Sequence, residues 1–114
     1  MENKDIYILG IESSCDDTSA AVLKNGVILS NVTASQDVHK AYGGVVPELA
    51  SRLHLENIDI VFNSALKQAD LTIDDIDSIA VIYGPGLIGA LHVGVMFAKT
   101  ISYLNNIPII YLNH

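Results

Sequence analysis

Asn25-Gly26, set after Lys24 and between the apolar runs Thr18 to Leu23 and Val27 to Thr33, constrains this chain more than any other pair of residues. A two-residue type I′ turn needs φ > 0 at both central positions, which asparagine tolerates and glycine adopts freely. The two runs are therefore expected to pair as an antiparallel hairpin. The earlier run Tyr7 to Ile11 adds a third strand to the same meander. The turn between the first two strands is polar, spelling Ser13, Ser14, Cys15, Asp16 and Asp17.

The periodicity changes beyond the meander. Ser35 to Val46 reads as a loop closing on Gly43-Gly44, and Pro47 suits the first position of a helix with Glu48 in its first turn. Ala50, Leu53, Ile58, Val61, Phe62, Ala65, Leu66 and Ala69 recur at helical spacing, which predicts a helix over 47–68. Thr72-Ile73-Asp74-Asp75 resembles a capped single turn. Ile79 to Tyr83 then reads as a buried strand, Gly84-Pro85-Gly86 as a sharp turn, 87–105 as a helix and Pro108 to Leu112 as a last strand. The order is βββ-α-β-α-β. Its fourth and fifth strands are added in parallel by crossover helices, so the expectation is an α/β fold with a mixed five-stranded sheet. That is the ribonuclease-H-like half-domain of the actin-like (ASKHA) class, found in actin, sugar kinases and Hsp70 chaperones, with residues 1–114 forming one such subdomain.

Half of the 114 residues are apolar and 17% are charged, which places the chain among compact globular domains. The formal net charge is −7, and all thirteen acidic residues lie between Glu2 and Asp77. From Ser78 onward Lys99 is the only Asp, Glu, Lys or Arg. A nucleic-acid binder carries a basic face because phosphate neutralisation dominates its affinity. Six basic residues make no such face, so any RNA-facing surface would come from another part of the protein or a partner. The single Cys15 excludes an internal disulfide and fits a reducing compartment. The charged start Met1-Glu2-Asn3-Lys4-Asp5 is no signal peptide, and the apolar stretch before Lys99 is too short to span a bilayer. The expectation is a soluble cytoplasmic domain without membrane contact.

Gly84-Pro85-Gly86-Leu87-Ile88-Gly89 matches G-x-G-x-x-G, but no acidic residue follows to hold a ribose hydroxyl, so a dinucleotide site is rejected. Two roles remain for these glycines: a tight turn with close packing, or N–H groups facing an anion at a helix N-terminus. The carboxylates and hydroxyls of 12–19 fit either an ordinary turn or a cation held beside phosphate. Cys15 has no Lys, Arg or His beside it in sequence to lower its pKa and reads as a small packed residue. His54 and His92 fall on the predicted helices without ligand spacing, whereas His39 lies in the loop before Tyr42-Gly43-Gly44. Ala90, Gly94 and Ala98 form a small-residue stripe that fits close packing on the chain's own sheet or on another subunit. The second helix is apolar nearly all round, which predicts burial on every side. That pattern points to association through helices 47–68 and 87–105, with a homodimer as one form of it.

Gly10-Ile11-Glu12-Ser13-Ser14-Cys15-Asp16, the run 42–52 from Tyr42 to Arg52, Gly84-Pro85-Gly86-Leu87-Ile88-Gly89-Ala90-Leu91, and Lys99 with Pro108 and Asn113-His114 together resemble the TsaD/Gcp family. These are the tRNA N6-threonylcarbamoyladenosine transferases once labelled O-sialoglycoprotein endopeptidases, and the resemblance runs from Leu9 to His114 in their bacterial form. It implies a two-lobed, actin-like acyltransferase. That enzyme moves threonylcarbamoyl from threonylcarbamoyl-adenylate to N6 of the adenosine beside the tRNA anticodon, working with a TsaB-like paralog and a TsaE-like ATPase. It also implies one divalent metal per subunit, Fe2+ or Zn2+, for which His114 matches the first of two histidines. Asp16 and Asp17 are the implied catalytic carboxylates. Ser13, Ser14, Cys15, His39 and Gly86 are the implied substrate contacts. Asp17 stands where many members carry Glu.

A metal needs three or four protein ligands. A lone His114 therefore fits an N-terminal fragment of such an enzyme, expected to be inactive alone. Two other readings compete: a non-catalytic actin-like scaffold of the TsaB type, and a metalloprotease after the old label. The second lacks H-E-x-x-H. Ser14-Cys15-Asp16 and Asn113-His114 favour the transferase over the scaffold.

Overall fold

Asn25 and Gly26 take φ values of 51° and 83°, the left-handed pair that a type I′ turn requires. The turn is tied to the chain's first residues. Asn25 N–H donates to the Ile6 carbonyl at 2.9 Å, and Ile6 N–H donates back to Asn25 Oδ1 at 2.8 Å. The Asn25 amide also donates to Asp5, and with Lys24 nearby this holds the Asp5 carboxyl below the usual carboxylate range. A computed structural model describes residues 4–14, 17–35, 47–84 and 88–113.

Strands β1 (Tyr7–Ser14), β2 (Asp17–Lys24) and β3 (Val27–Ser35) form the meander. Helix α1 (Pro47–Gln68), a 3-10 turn (Ile73–Asp75), β4 (Ser78–Gly84), α2 (Ile88–Asn105) and β5 (Ile109–Asn113) follow. The five strands make one mixed sheet in the order β3-β2-β1-β4-β5. β1 pairs antiparallel with β2 and parallel with β4, while β4 pairs parallel with β5. The polar connection expected over Ser13 to Asp17 is shorter than that. Ser13 pairs with Thr18 and Ser14 with Asp17, so the ladder extends until only Cys15 and Asp16 lie between the strands. Ser13 and Thr18 are both fully buried, and pairing satisfies backbone groups that would otherwise be stranded beneath the helices.

Both helices pack on one face of the sheet. Leu9 and Ile11 of β1, Ala20 and Val22 of β2, and Ile79 and Val81 of β4 point to them and are buried. They meet Ile58, Val61, Phe62, Ala65 and Leu66 from α1, with Val93 and Ala98 from α2. Phe62 and Phe97 join the two helices edge to face, with ring centroids 5.1 Å apart. A bulge between Val22 and Leu23 sets Ser30, not Leu29, opposite Val22. The buried Ser30 hydroxyl donates to the Ala65 carbonyl of α1 at 2.7 Å, pinning helix to strand.

Each helix ends on a residue in the left-handed region, Asp70 at φ 57° and Asn106 at φ 55°. Leu71 N–H returns to the Leu66 carbonyl and Ile107 N–H to the Ser102 carbonyl, both at 3.0 Å. These are Schellman closures in which Asp and Asn stand where glycine is usual. The 3-10 turn carries the expected capping box, with Thr72 N–H donating to the Asp75 carboxylate at 2.9 Å.

Burial of α2 on every side is not met within this chain. Gly94 and Ala98 face the sheet, so two members of the small-residue stripe serve internal packing. Met96, Tyr103 and Leu104 stand outward, 45%, 86% and 70% exposed. His92 is also exposed.

Burial predicts how substitutions divide. Leu9→Ala empties a wholly buried position in the central strand and should cost about 2–5 kcal/mol in urea denaturation. Ile28→Ala, at a position 62% exposed, should stay within about 0.5 kcal/mol of the parent.

Candidate functional site

Strands β1, β3, β4 and β5 point the same way, because two antiparallel pairings restore the direction of β1 in β3 and two parallel pairings carry it to β5. Their C-terminal ends at Ser14, Ser35, Gly84 and Asn113, with the N-terminal end of β2 at Asp17, therefore share one end of the sheet. Helix α1 has 22 residues and so runs about 33 Å. It returns the chain to the opposite end, where Asp77 N–H bonds the Tyr7 carbonyl at 2.9 Å and β4 begins. Both helices consequently start at the end where the four strands finish. In open α/β sheets this is where ligands bind, since strand ends and helix N-termini meet there.

Three of the implied site residues fall among the described ones, and they lie at this end. Ser13, Ser14 and Asp17 lie on the β1–β2 hairpin. Cys15, Asp16, His39, Gly86 and His114 lie outside the described residues. The segments that contain them join described ends at this side: Ser14 to Asp17, Ser35 to Pro47, Gly84 to Ile88, and the position after Asn113. Ser13 is fully buried beneath α2, and its hydroxyl accepts the Gly94 N–H at 2.9 Å. Asp17 is half-buried. Among the described residues no three His, Cys, Asp or Glu side chains gather as a metal site. His114 follows directly on Asn113 at the end of β5 and would be one donor toward the three or four that a metal site needs.

The uncovered face of the sheet carries a groove of about 390 Å³ below this end. Its floor is a row of small residues in register, Ala21, Gly10 and Ala80, across β2, β1 and β4. Glu12, Ser19, Asn31 and Thr33 form a polar side, with Ser19 and Thr33 hydroxyls 2.9 Å apart, and Ile82 and Leu112 form an apolar side. A larger cavity of about 530 Å³ lies where both helices end, lined by Phe62, Leu66, Leu71 and Ile101. It is remote from the strand ends, and sheet topology rather than volume selects the candidate site. Thr18, one of the hydroxyls of 12–19, is buried in the framework of this end, and Gly94, read from the sequence only as part of a packing stripe, joins it through Ser13. The signal for Gly94 was a glycine inside an otherwise apolar helix, where it costs helix stability unless close packing requires it.

Residues 27–114 match the family described as TsaD, tRNA N6-adenosine threonylcarbamoyltransferase. A protein of that name from Phocaeicola vulgatus is 62% identical over 110 residues, covering 96% of this chain and 32% of the relative. Another from Bacillus licheniformis is 58% identical over 113 residues, covering 97% of this chain and 33% of the relative. The chain thus spans about one third of the length of the curated relatives it matches. Among solved structures, YeaZ from Pseudomonas aeruginosa superimposes with a TM-score of 0.74 over 95% of this chain and 43% of its own. At 18% identity that likeness is one of fold alone.

The groove floor predicts a neutral substitution. A Cβ at Gly10 would meet only the Ala21 carbonyl oxygen at 3.9 Å, an ordinary contact. Gly10→Ala should leave chemical denaturation unchanged or raise stability by up to about 1 kcal/mol.

Proposed function

This chain belongs to the tRNA N6-adenosine threonylcarbamoyltransferase family, and we propose that it forms an actin-like lobe of an enzyme that transfers threonylcarbamoyl from threonylcarbamoyl-adenylate to N6 of the adenosine beside the tRNA anticodon. The convergence of four strand ends, the β1–β2 hairpin and the start of α2 on one end of the sheet carries this reading. The strand order with its crossover helices supports the actin-like, ribonuclease-H-like class. The scaffold reading is weaker, because the likeness to YeaZ is confined to fold whereas the transferase-named relatives share most of the residues.

In the proposed reaction N6 of the adenosine attacks the carbamoyl carbon. A carbon–nitrogen bond forms, the bond from that carbon to the adenylate phosphate oxygen breaks, and the N6 proton passes to a carboxylate. Asp16 and Asp17 are the carboxylates assigned to the turn, and an acid–base group there must lie within hydrogen-bond reach of the proton it takes. Ser14, Cys15, His39 and Gly86 are assigned to contacts with the adenylate. N–H groups at the start of α2 provide donors for its phosphate. His114 would give one ligand to a divalent metal, Fe2+ or Zn2+, whose other ligands come from outside this chain. When bound, such a metal supplies Lewis-acid polarisation of the reacting carbonyl or of the leaving phosphate.

The net charge of −7 assigns the basic surface for tRNA to the remaining length or to partners. A TsaB-like paralog and a TsaE-like ATPase are the proposed partners, with the cytoplasm as the compartment. No helix among the described residues is long and apolar enough to cross a membrane. An apolar groove of about 420 Å³ between the helices, lined by Leu55, Ile58, Val93, Met96 and Phe97, is the proposed contact for the paralog or a second copy of the chain.

Two experiments test this reading. In the full-length protein His114→Ala should abolish both stoichiometric metal, by elemental analysis, and threonylcarbamoyladenosine formation, with little change in the thermal midpoint. Unchanged metal content would remove His114 from the site. Met96→Glu, at an exposed position in the helix groove, should weaken association about tenfold or more in light scattering with the paralog. Unaltered association would place the interface elsewhere.

A further inference from the structure

We propose that Ser13 and Gly94 act as a positioning pair that sets the spacing between the β1–β2 turn and the N-terminal turns of α2. The inference rests on the functional reading above, which assigns the turn carboxylates to the reaction and the start of α2 to the phosphate. It gives Ser13 a role through α2 in place of a direct substrate contact.

Ser13 is 0% exposed and lies one residue before the end of β1. Its hydroxyl accepts the Gly94 N–H at 2.9 Å. Gly94 lies six residues after the start of α2, about 9 Å along the helix axis. The pair is thus a polar contact between the framework of the turn and the first turns of α2. Around it α2 is packed through Val93 and Ala98 among aliphatic side chains of the core, contacts that tolerate small sliding. A directional hydrogen bond with a steric stop does not tolerate it in the same way.

The stop is tight. A Cβ built on Gly94 would lie 2.6 Å from Ser13 Oγ, 3.4 Å from Ser13 Cβ and 3.6 Å from Ser13 N. The first distance is untenable, and the serine can relieve it only by rotating its hydroxyl away. Rotation breaks the bond to Gly94, at a free-energy cost. Otherwise α2 lifts from β1. Either response releases the start of α2 from its place relative to the turn, and misplacements of an ångström in such frameworks cost large factors in rate.

The atoms also specify a rescue. With Ser13→Ala the 2.6 Å contact disappears and the 3.4 Å contact to Cβ remains, so an added methyl at position 94 is far better tolerated. The test uses the full-length enzyme in four forms: parent, Ser13→Ala, Gly94→Ala and the double variant. Thermal midpoints and initial rates against threonylcarbamoyl-adenylate are measured well below every midpoint. Gly94→Ala should lower the midpoint and raise KM for the adenylate about tenfold or more, with a smaller change in kcat. The double variant should be more stable than Gly94→Ala and recover most of the KM. If Gly94→Ala does not fold, the double variant and Ser13→Ala carry the test. A folded double variant then supports the steric stop, and a raised KM in Ser13→Ala supports the positioning role.

A lowered midpoint with parental KM in all variants would reduce the pair to packing and overturn the proposal. Strictly additive effects on stability would deny the contact itself. A parent enzyme without transfer activity would overturn the functional reading and the role that rests on it. An active parent with indifferent variants would overturn the pair alone.

Discussion

Everything in this fold depends on β1 pairing antiparallel with β2 on one side and parallel with β4 on the other. Leu9 and Ile11 of β1 are buried against the helices, while Gly10 and Glu12 line the groove on the opposite face. A register slip of one residue would turn the first pair out and the second pair in, so the burial of Leu9 and Ile11 holds the register. That register places Ser13 opposite Thr18 and brings the strand ends level at one side of the sheet. Chemistry assigned to the hairpin turn therefore inherits its position from a hydrophobic constraint several residues away.

The two faces of the sheet differ in kind. Among the described residues, Ser13, Thr18 and Ser30 are the polar groups buried on the helix-bearing face. Ser30 binds a carbonyl of α1 and Ser13 an amide of α2, so each helix is pinned by one serine from the sheet. Apolar packing supplies the drive for these helices to cover the sheet. The hydroxyls supply direction, since a buried donor or acceptor displaced from its partner loses free energy that a shifted methyl group does not. Opposite lies an uncovered face with a small-residue floor, polar on the β2–β3 side and apolar on the β4–β5 side.

Two ion pairs mark the end of the sheet opposite the one assigned to chemistry. Lys4 with Asp77 and Lys24 with Asp5 form ion pairs 3.6 and 3.5 Å long, at the end of the sheet away from the hairpin turn. Both are solvent-exposed pairs that add little stability. They sit around the first residues of the chain, where Asn25 also binds Ile6 and Asp5. The strand ends opposite carry the hydroxyls, carboxylates and helix starts from which the proposed transfer site is built.

Local chemistry determined much of this. The type I′ turn at Asn25-Gly26, the helix over 47–68, the capping box at Thr72 and the two crossover strands are each dictated by nearby residues, through φ preference, periodicity or a side chain reaching its own backbone. Of the candidate site, the polar hairpin was legible in the same way, and the meander and the crossovers bring its described ends, Ser14 and Asp17, to the side where β3, β4 and β5 also finish. The rest was decided by contacts between residues far apart in the chain. The bulge that sets Ser30 inward serves an Ala65 carbonyl 35 positions on. The polar hairpin continues past Ser13, whose hydroxyl meets a helix that begins more than seventy residues later. Gly94 reads as one of a small-residue stripe suited to close packing, but that Ser13 occupies the space where its side chain would be is decided only in the tertiary structure. Periodicity reports which face of an element is apolar, whereas the identity of the group pressed against that face exists only once the distant elements meet.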